Sequence, residues 1–172
     1  MNDPVELILK QWGQERPDLD VSPMAVIGRL ARVVKRFDER LSRSFAEHGL
    51  DSASFDVLAA LRRSGPPFVL SPKDLSGSSM VTTSATAQRL NKLENEGLVR
   101  RASSVVDGRK KQVQLTEKGK GIIDGALSTH LQTEHALLRN LDGAERQMLA
   151  TLLAKLDVEG ESDGLEKGVN SL

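Results

Sequence analysis

LSPKDLSGSSMVTTSATAQRLNKLENEGLVRRASSVVDGRKKQVQLTEKG, residues 70–119, is the stretch that decides the fold. The pair Ser71-Pro72 offers a cap followed by proline at the first helical position, so a short helix is predicted to begin there. The cluster at 76–79 interrupts it, and Thr82 can cap a second helix that ends near Gly97. Two helices joined by a tight turn are therefore predicted.

The second of these helices has an apolar side and a polar side. Helical spacing directs four residues inward, namely Val81, Ala85, Leu90 and Leu93. The polar side carries hydroxyls and amides rather than charges, and such groups suit the base edges of the major groove, where Gln or Asn can form two bonds with adenine. An ordinary solvated helix face is the alternative, because composition by itself is a weak indication. The candidate DNA contacts on this helix are Thr83, Ser84, Ala87, Gln88, Asn91 and Lys92.

A basic hairpin is predicted after the second helix. Two short alternating runs, 98–101 and 111–115, flank the turn dipeptide Asp107-Gly108. Between Leu98 and Leu115 there are five basic residues and one acidic residue, although the 24 basic and 24 acidic residues of the whole chain cancel. The positive charge is thus concentrated at a wing, which favours contact with nucleic acid. The candidate contacts at its tip are Asp107, Arg109, Lys110 and Lys111.

These segments resemble a known family. Asp107-Gly108-Arg109, followed by VQLTEKG at 113–119, is similar to the wing motif D-x-R and L-T-x-x-G of MarR-type bacterial transcription regulators. RLNKLENEGLV at 89–99 resembles the end of that family's recognition helix, and the likeness extends over nearly the whole chain. The resemblance implies a homodimer that represses from a near-palindromic double-stranded operator and is released by a small ligand. It also implies that Asp107 steadies Arg109 in the minor groove.

Length and composition bound the remaining possibilities. The chain has 172 residues, and an aliphatic core is expected because aromatic residues make up only 3% of it. It contains no cysteine, which excludes disulfides and thiolate metal sites. No apolar run approaches the roughly 20 residues of a membrane span. We expect a cytoplasmic, mainly α-helical single domain without a cofactor, a metal or a membrane contact.

Helices are predicted on both sides of the winged segment. Caps or proline starts at Asp3-Pro4, Ser22-Pro23, Asp51, Thr116 and Asp142 each open one. The terminal helices are more apolar than a single winged domain can cover, so we expect a dimer interface there. The predicted organisation is a helical dimerisation region at 4–48 and 117–158, a winged helix-turn-helix lobe at 51–116, and a mobile acidic tail at 159–172.

The recognition helix also suggests a ligand site. Arg89 lies beside inward-facing Leu90, and a charge directed inward needs a partner. Asp56 is the candidate partner, Arg101 is near enough in sequence to join them, and Trp12 could close the site. The set Trp12, Asp56, Arg89 and Arg101 resembles the pocket of the urate-responsive branch of the family. A structural ion-pair network under a packed tryptophan is the alternative.

Two arginines in such a pocket predict a planar or carboxylated anion as the ligand. Its charge would compete for Arg89 and so pull on the helix that contacts DNA. Urate responders carry a hydroxyl residue two places before this arginine, whereas this chain has Ala87. Urate and another small organic acid are therefore both retained as candidates.

Two other functions compete with this one. An enzyme is disfavoured because His48, His130 and His135 lack partners at ligand or base spacing, and no glycine loop of the phosphate-binding type is present. A winged helix used only for protein interaction remains the alternative, since a fold does not fix a function. The basic wing tip argues against it, because an interaction module does not require that charge.

Overall fold

The structure is a computed structural model that describes residues 3–78, 83–103 and 111–157. These ranges contain seven helices and three strands. In chain order they are α1 (Pro4–Glu15), α2 (Ser22–Ala46), α3 (Ser52–Arg63), β1 (Val69–Leu70), α4 (Pro72–Ser78), α5 (Thr83–Asn95), β2 (Val99–Ser103), β3 (Lys111–Leu115), α6 (Glu117–Leu137) and α7 (Gly143–Leu156). The predicted order of helices and of the hairpin is confirmed. The predicted cap Thr82, the turn Asp107-Gly108 and the tail at 159–172 lie outside the described residues.

Most of the predicted helix starts are confirmed by their hydrogen bonds. The side chains of Asp3 and Asp51 accept from the backbone N–H groups of Val5 and Ser54, and Asp142 forms a full capping box with Glu145. The prediction for α2 is wrong in one respect: Ser22 lies inside the helix rather than capping it, because its own N–H donates to Asp20 and the cap residue Val21 offers no side-chain acceptor.

The start of α6 gives a physical reason for the T-x-x-G pattern. Thr116 Oγ accepts from the backbone N–H of Gly119 and donates to the carbonyl oxygen of Gly97. Its own N–H donates to the carbonyl of Leu98. A Cβ atom at Gly119 would clash with that same carbonyl oxygen, so only glycine permits this close approach of helix and wing.

The wing sheet has three strands in the order β1-β3-β2, not the two that the sequence predicted. The hairpin pairs Arg101 with Val113 and Ser103 with Lys111. Strand β1 adds two residues, Val69 and Leu70, on the outer side of β3. A strand of two residues is too short to show the alternation of apolar and polar residues, so the sequence does not predict it.

The chain divides into two units between Glu134 and His135. The first unit holds the hydrophobic core, in which α3, α5, the sheet and the beginning of α6 bury mainly aliphatic side chains. Phe45, Phe55 and His130 stack within it, with ring centroids 4.4–5.2 Å apart. Its largest fully buried side chains are Leu58, Leu61, Leu75, Leu93, Ile123, Val57 and Val113.

The long helix α2 buries only part of its predicted apolar row. Phe45 is buried and Leu41 packs against the core, whereas Ile27 and Val34 are exposed. In the second unit, α7 has no buried residue and exposes five large apolar side chains, namely Met148, Leu149, Leu152, Leu153 and Leu156. Among the described residues no helix is long and apolar enough to cross a membrane.

Candidate DNA-binding surface and effector site

Helix α5 presents one polar face to solvent. Its opposite side is anchored in the core by Leu90, which is 2% exposed, and Leu93, which is 0% exposed. Successive residues turn by about 100° around a helix, so Gln88 lies almost opposite to these leucines, and Asn91 lies about 100° from Leu90 and about 160° from Leu93. The predicted contacts Ala87, Gln88, Asn91 and Lys92 are all exposed. Thr83 and Ser84 belong to the first turn of α5, but their side chains lie outside the described residues.

One flank of α5 is held by Asp51, the cap of α3. Arg89 Nη1 donates to Asp51 Oδ2 at 2.5 Å, and Lys92 Nζ donates to the same oxygen at 3.1 Å. The other carboxylate oxygen accepts from the backbone N–H of Ser54. A single carboxylate therefore caps α3 and binds two cationic side chains of α5.

The surroundings of Asp51 act on its pKa in opposite directions. Burial alone would raise the pKa of Asp51. Hydrogen bonds from Ser54 and Lys92, together with the charge of Arg89, outweigh it and lower the pKa below its ordinary value of 3.8. The carboxylate is consequently charged at neutral pH and stabilises the contact between α3 and α5.

The other flank of α5 is held by Arg101 of β2. Its Nη1 donates to Glu94 Oε2 at 2.9 Å and its Nη2 donates to Asn91 Oδ1 at 2.7 Å. The backbone N–H of Arg101 donates to Glu94 Oε1 at 3.0 Å. Because Asn91 and Glu94 are three residues apart, they share one side of the helix and form a joint acceptor for the arginine.

The base of the wing is fixed by a second arginine. Both Nε and Nη2 of Arg100 donate to Gln114 Oε1, and the amide nitrogen of Gln114 donates to the carbonyl oxygen of Pro67. Lys111, a predicted contact, is exposed at the start of β3. The other predicted wing contacts, Asp107, Arg109 and Lys110, lie outside the described residues.

The predicted pairing of Arg89 with Asp56 is wrong, since the partner is Asp51. Asp51 is the cap at the end of α3 that contacts α5, whereas Asp56 lies more than one turn further along α3. Arg101 joins neither of them and binds Glu94 and Asn91 instead. In the described part of the chain, no hydrogen bond connects any two of the four predicted ligand residues, and Trp12 on α1 is 43% exposed.

Asp56 has a different environment from the one expected. Burial raises its pKa, and the nearby Arg63 and His130 offset this only in part. These two residues line a cavity of about 480 Å³ between α3 and α6, whose apolar wall includes Phe55 and Leu131. Asp56 does not line the cavity itself, but the charges that act on it are those of Arg63 and His130 and not that of Arg89.

Arg89 retains an unused donor. Its Nε is buried and has no hydrogen-bond partner among the described residues. A buried N–H without an acceptor is unfavourable, and a planar anion could satisfy it. This feature, the role of Asp51 and the acceptor pair formed by Asn91 and Glu94 were missed by the sequence analysis. Helical spacing could have indicated only the last of them, because residues 91 and 94 share a face.

Removing the charge at Asp51 tests whether this carboxylate stabilises the contact between α3 and α5. Asp51→Asn keeps a good cap but loses the ionic contact with Arg89 and Lys92. Since solvent screens a carboxylate that is 42% exposed, we expect a loss on the order of 0.5 kcal/mol of unfolding free energy at pH 7.

The same substitution has a defined pH dependence. A lowered folded-state pKa stabilises above the ordinary value of 3.8 and ceases to do so as the pH falls through the folded-state pKa. The difference between wild type and Asp51→Asn in urea unfolding should shrink below about pH 4. A difference that is constant from pH 3 to pH 7 would contradict the assigned role.

Comparison with known proteins shows the family to which the chain belongs. The model of the MarR family matches residues 48–110. The chain is 37% identical to the HTH-type transcriptional regulator PecS of Dickeya dadantii (strain 3937) over 150 residues, which are 87% of this chain and 90% of that protein.

Solved structures show the same fold. A mutant of Escherichia coli MarR, complexed with operator DNA, superposes with a TM-score of 0.67 at 24% identity, covering 84% of this chain and 96% of that one. Bordetella bronchiseptica BpsR, whose DNA binding is regulated by 6-hydroxynicotinic acid, has a TM-score of 0.67 at 24% identity, covering 77% and 98%. The chain belongs to the MarR family of DNA-binding transcriptional regulators.

Proposed function

We propose that this regulator is a repressor that binds a pseudo-palindromic operator as a homodimer and is released by a small anionic ligand. One observation carries the proposal: the exposed polar face of α5 lies between two charged flanks, Asp51 on one side and Arg101 with Glu94 on the other. A helix held in this way can present amides to the major groove, and a competing anion can disturb it.

Exposed apolar side chains support the homodimer. Isolated exposed apolar residues are ordinary, but contiguous sets on amphipathic helices mark interaction surfaces. In the first unit Ile8 and Trp12 of α1 and Ile27 and Val34 of α2 are exposed, and in the second unit α7 exposes its five large apolar side chains. Pairing of two copies would remove these surfaces from water, and a two-fold dimer would present two α5 helices to two half-sites.

A charge on the apolar side of α7 tests the dimer. Leu149→Glu combined with Leu152→Glu should shift the protein towards monomer and weaken operator binding at least tenfold, because both side chains are exposed in the single chain and would be buried in the pair. Light scattering and gel-shift titration measure the two effects. Gln147→Glu, which lies on the opposite side of α7, is the matched control. A double variant that stays dimeric would exclude α7 from the interface.

The helix and the wing should contribute differently to DNA binding. Gln88 is exposed at the centre of the polar face of α5 and can contact a base edge. Arg109, predicted at the wing tip, is suited to the minor groove and to phosphates. Base contacts give sequence preference, whereas phosphate contacts give affinity that falls with salt.

Two alanine substitutions separate these contributions. Gln88→Ala should cost about 1–3 kcal/mol of binding and relax the preference at one base pair. Arg109→Ala should weaken binding to all sequences and reduce the salt slope by about 1. Titrations at several salt concentrations measure both quantities. An unchanged affinity and salt slope for Arg109→Ala would show that the wing does not contact DNA.

Arg89 supports the response to an anion. Asp51 occupies one edge of its guanidinium, and the buried Nε–H has no partner among the described residues. A planar carboxylate or urate could bind this donor and displace Asp51, which would move α5 relative to α3. The structural neighbour BpsR, regulated by 6-hydroxynicotinic acid, supports a small organic acid as the class of effector. Trp12, Asp56 and Arg101 stay proposed effector residues from the sequence, while the bonds among the described residues support only Arg89 and Asp51.

The anion response is tested by titrating urate and small carboxylic acids against the operator complex. We expect operator release together with a change in the fluorescence of Trp12, the only tryptophan. Arg89→Ala should abolish release. Asp51→Asn keeps the arginine but removes the partner that the anion is proposed to displace, so it should still bind the anion while its release of the operator is reduced. If Arg89→Ala responds like wild type, the proposed site is wrong.

A further inference from the structure

The amide of Asn91 is oriented by its contact with Arg101. A guanidinium carries only donors, so the atom that faces Arg101 Nη2 at 2.7 Å must be the carbonyl oxygen of the amide. Turning the amide over would place its NH2 group against another N–H and lose a charge-assisted bond. The orientation of the amide therefore follows from the chemistry of its partner.

Arg101 is itself held in place. Glu94 accepts from its side chain at 2.9 Å and from its backbone N–H at 3.0 Å. Strand β2 is an edge of the sheet, so this backbone N–H has no neighbouring strand to bind on that side, and Glu94 supplies the acceptor. The guanidinium therefore has a fixed position between β2 and α5, and this position determines the orientation of the Asn91 amide that it binds.

The free end of Asn91 is a donor. Its Nδ2 makes no hydrogen bond within the described residues, and the residue is exposed one helical turn from Gln88. Bidentate recognition of adenine uses the carbonyl oxygen and the NH2 group of an asparagine together. Here the carbonyl oxygen is turned towards Arg101 and one of its two lone pairs is used, so the NH2 group is the better placed end of the amide for DNA.

We propose that Arg101 is a positioning residue that makes Asn91 a donor to base edges, so that Asn91 favours guanine or thymine over adenine and rejects cytosine. On their major-groove edges guanine offers two acceptors, N7 and O6, and thymine offers O4. Adenine offers only N7, beside its N6 donor, and cytosine offers an N4 donor. Bidentate recognition of adenine is left to Gln88. The inference rests on the proposed role of α5 as the helix that contacts bases.

The experiment measures base preference by selecting from a library of random DNA duplexes with wild type and four variants. Asn91→Asp keeps the shape and the bond to Arg101 but replaces the outward donor by an acceptor. It should shift the preference at one base pair towards cytosine or adenine by about tenfold. Arg101→Met keeps the aliphatic stem but removes the donors, so at the same base pair it should accept adenine as well as guanine or thymine. Arg101→Lys restores a donor and should restore the wild-type preference.

Circular dichroism checks that each variant is folded. If Arg101→Met does not fold, the result for Asn91→Asp alone decides the test. Wild-type preference at every position in Asn91→Asp, or in a folded Arg101→Met, would overturn the proposal. Gln88→Ala distinguishes the cause of such a failure. If Gln88→Ala alters the preference while the Asn91 and Arg101 variants do not, only this inference fails. If none of them does, α5 is not the base-contacting helix, and the proposed function fails as well.

Discussion

The position of helix α5 is the constraint on which the proposed function of this regulator depends. Leu90 and Leu93 turn one side of the helix towards the core, but an apolar stripe roughly 100° wide leaves the finer angle of rotation about the helix axis to other contacts. Polar contacts on the two flanks supply that information: Asp51 binds Arg89 and Lys92, and Arg101 binds Glu94 and Asn91. The face of α5 that carries Gln88 and Asn91 stays exposed, and these contacts set the direction in which it points.

The polar contacts on the flanks of α5 are weaker than its apolar contacts with the core, and this difference suits the proposed response to an anion. Partly exposed ion pairs contribute about 0–1 kcal/mol each, whereas a fully buried leucine contributes about 2–5 kcal/mol by the effect of its truncation. An anion that takes Arg89 from Asp51 would therefore leave the lobe folded while changing how α5 is held. Coupling energies of about 1–3 kcal/mol are typical of allosteric proteins and match contacts of this size.

The fold could be predicted well from the sequence because the signals that start and end helices act locally. Caps such as Asp51 and Asp142, the helix end at Gly97 and the apolar spacing of α5 act within a few residues, and the structure agrees with them. The partners of charged residues were predicted less well. Spacing placed Arg89 near the core side of its helix, but which carboxylate of α3 faces it depends on the packing of two helices. The strand β1 was missed for a related reason, since its two residues are recognisable only through their pairing with Val113 and Gln114.

Amide hydrogen exchange across residues 89–95 tests most directly whether the two flanks hold α5. The comparison is between wild type and the double variant Asp51→Asn/Arg101→Met, each free and bound to operator. We predict that exchange in α5 of the free double variant rises by more than the small increase that lower global stability gives to α3 and β3. The difference should be smaller on the operator, where DNA replaces the lost contacts. Equal exchange of α5 in the two free proteins would contradict the account, because the flanking contacts would then not determine how firmly the helix is held.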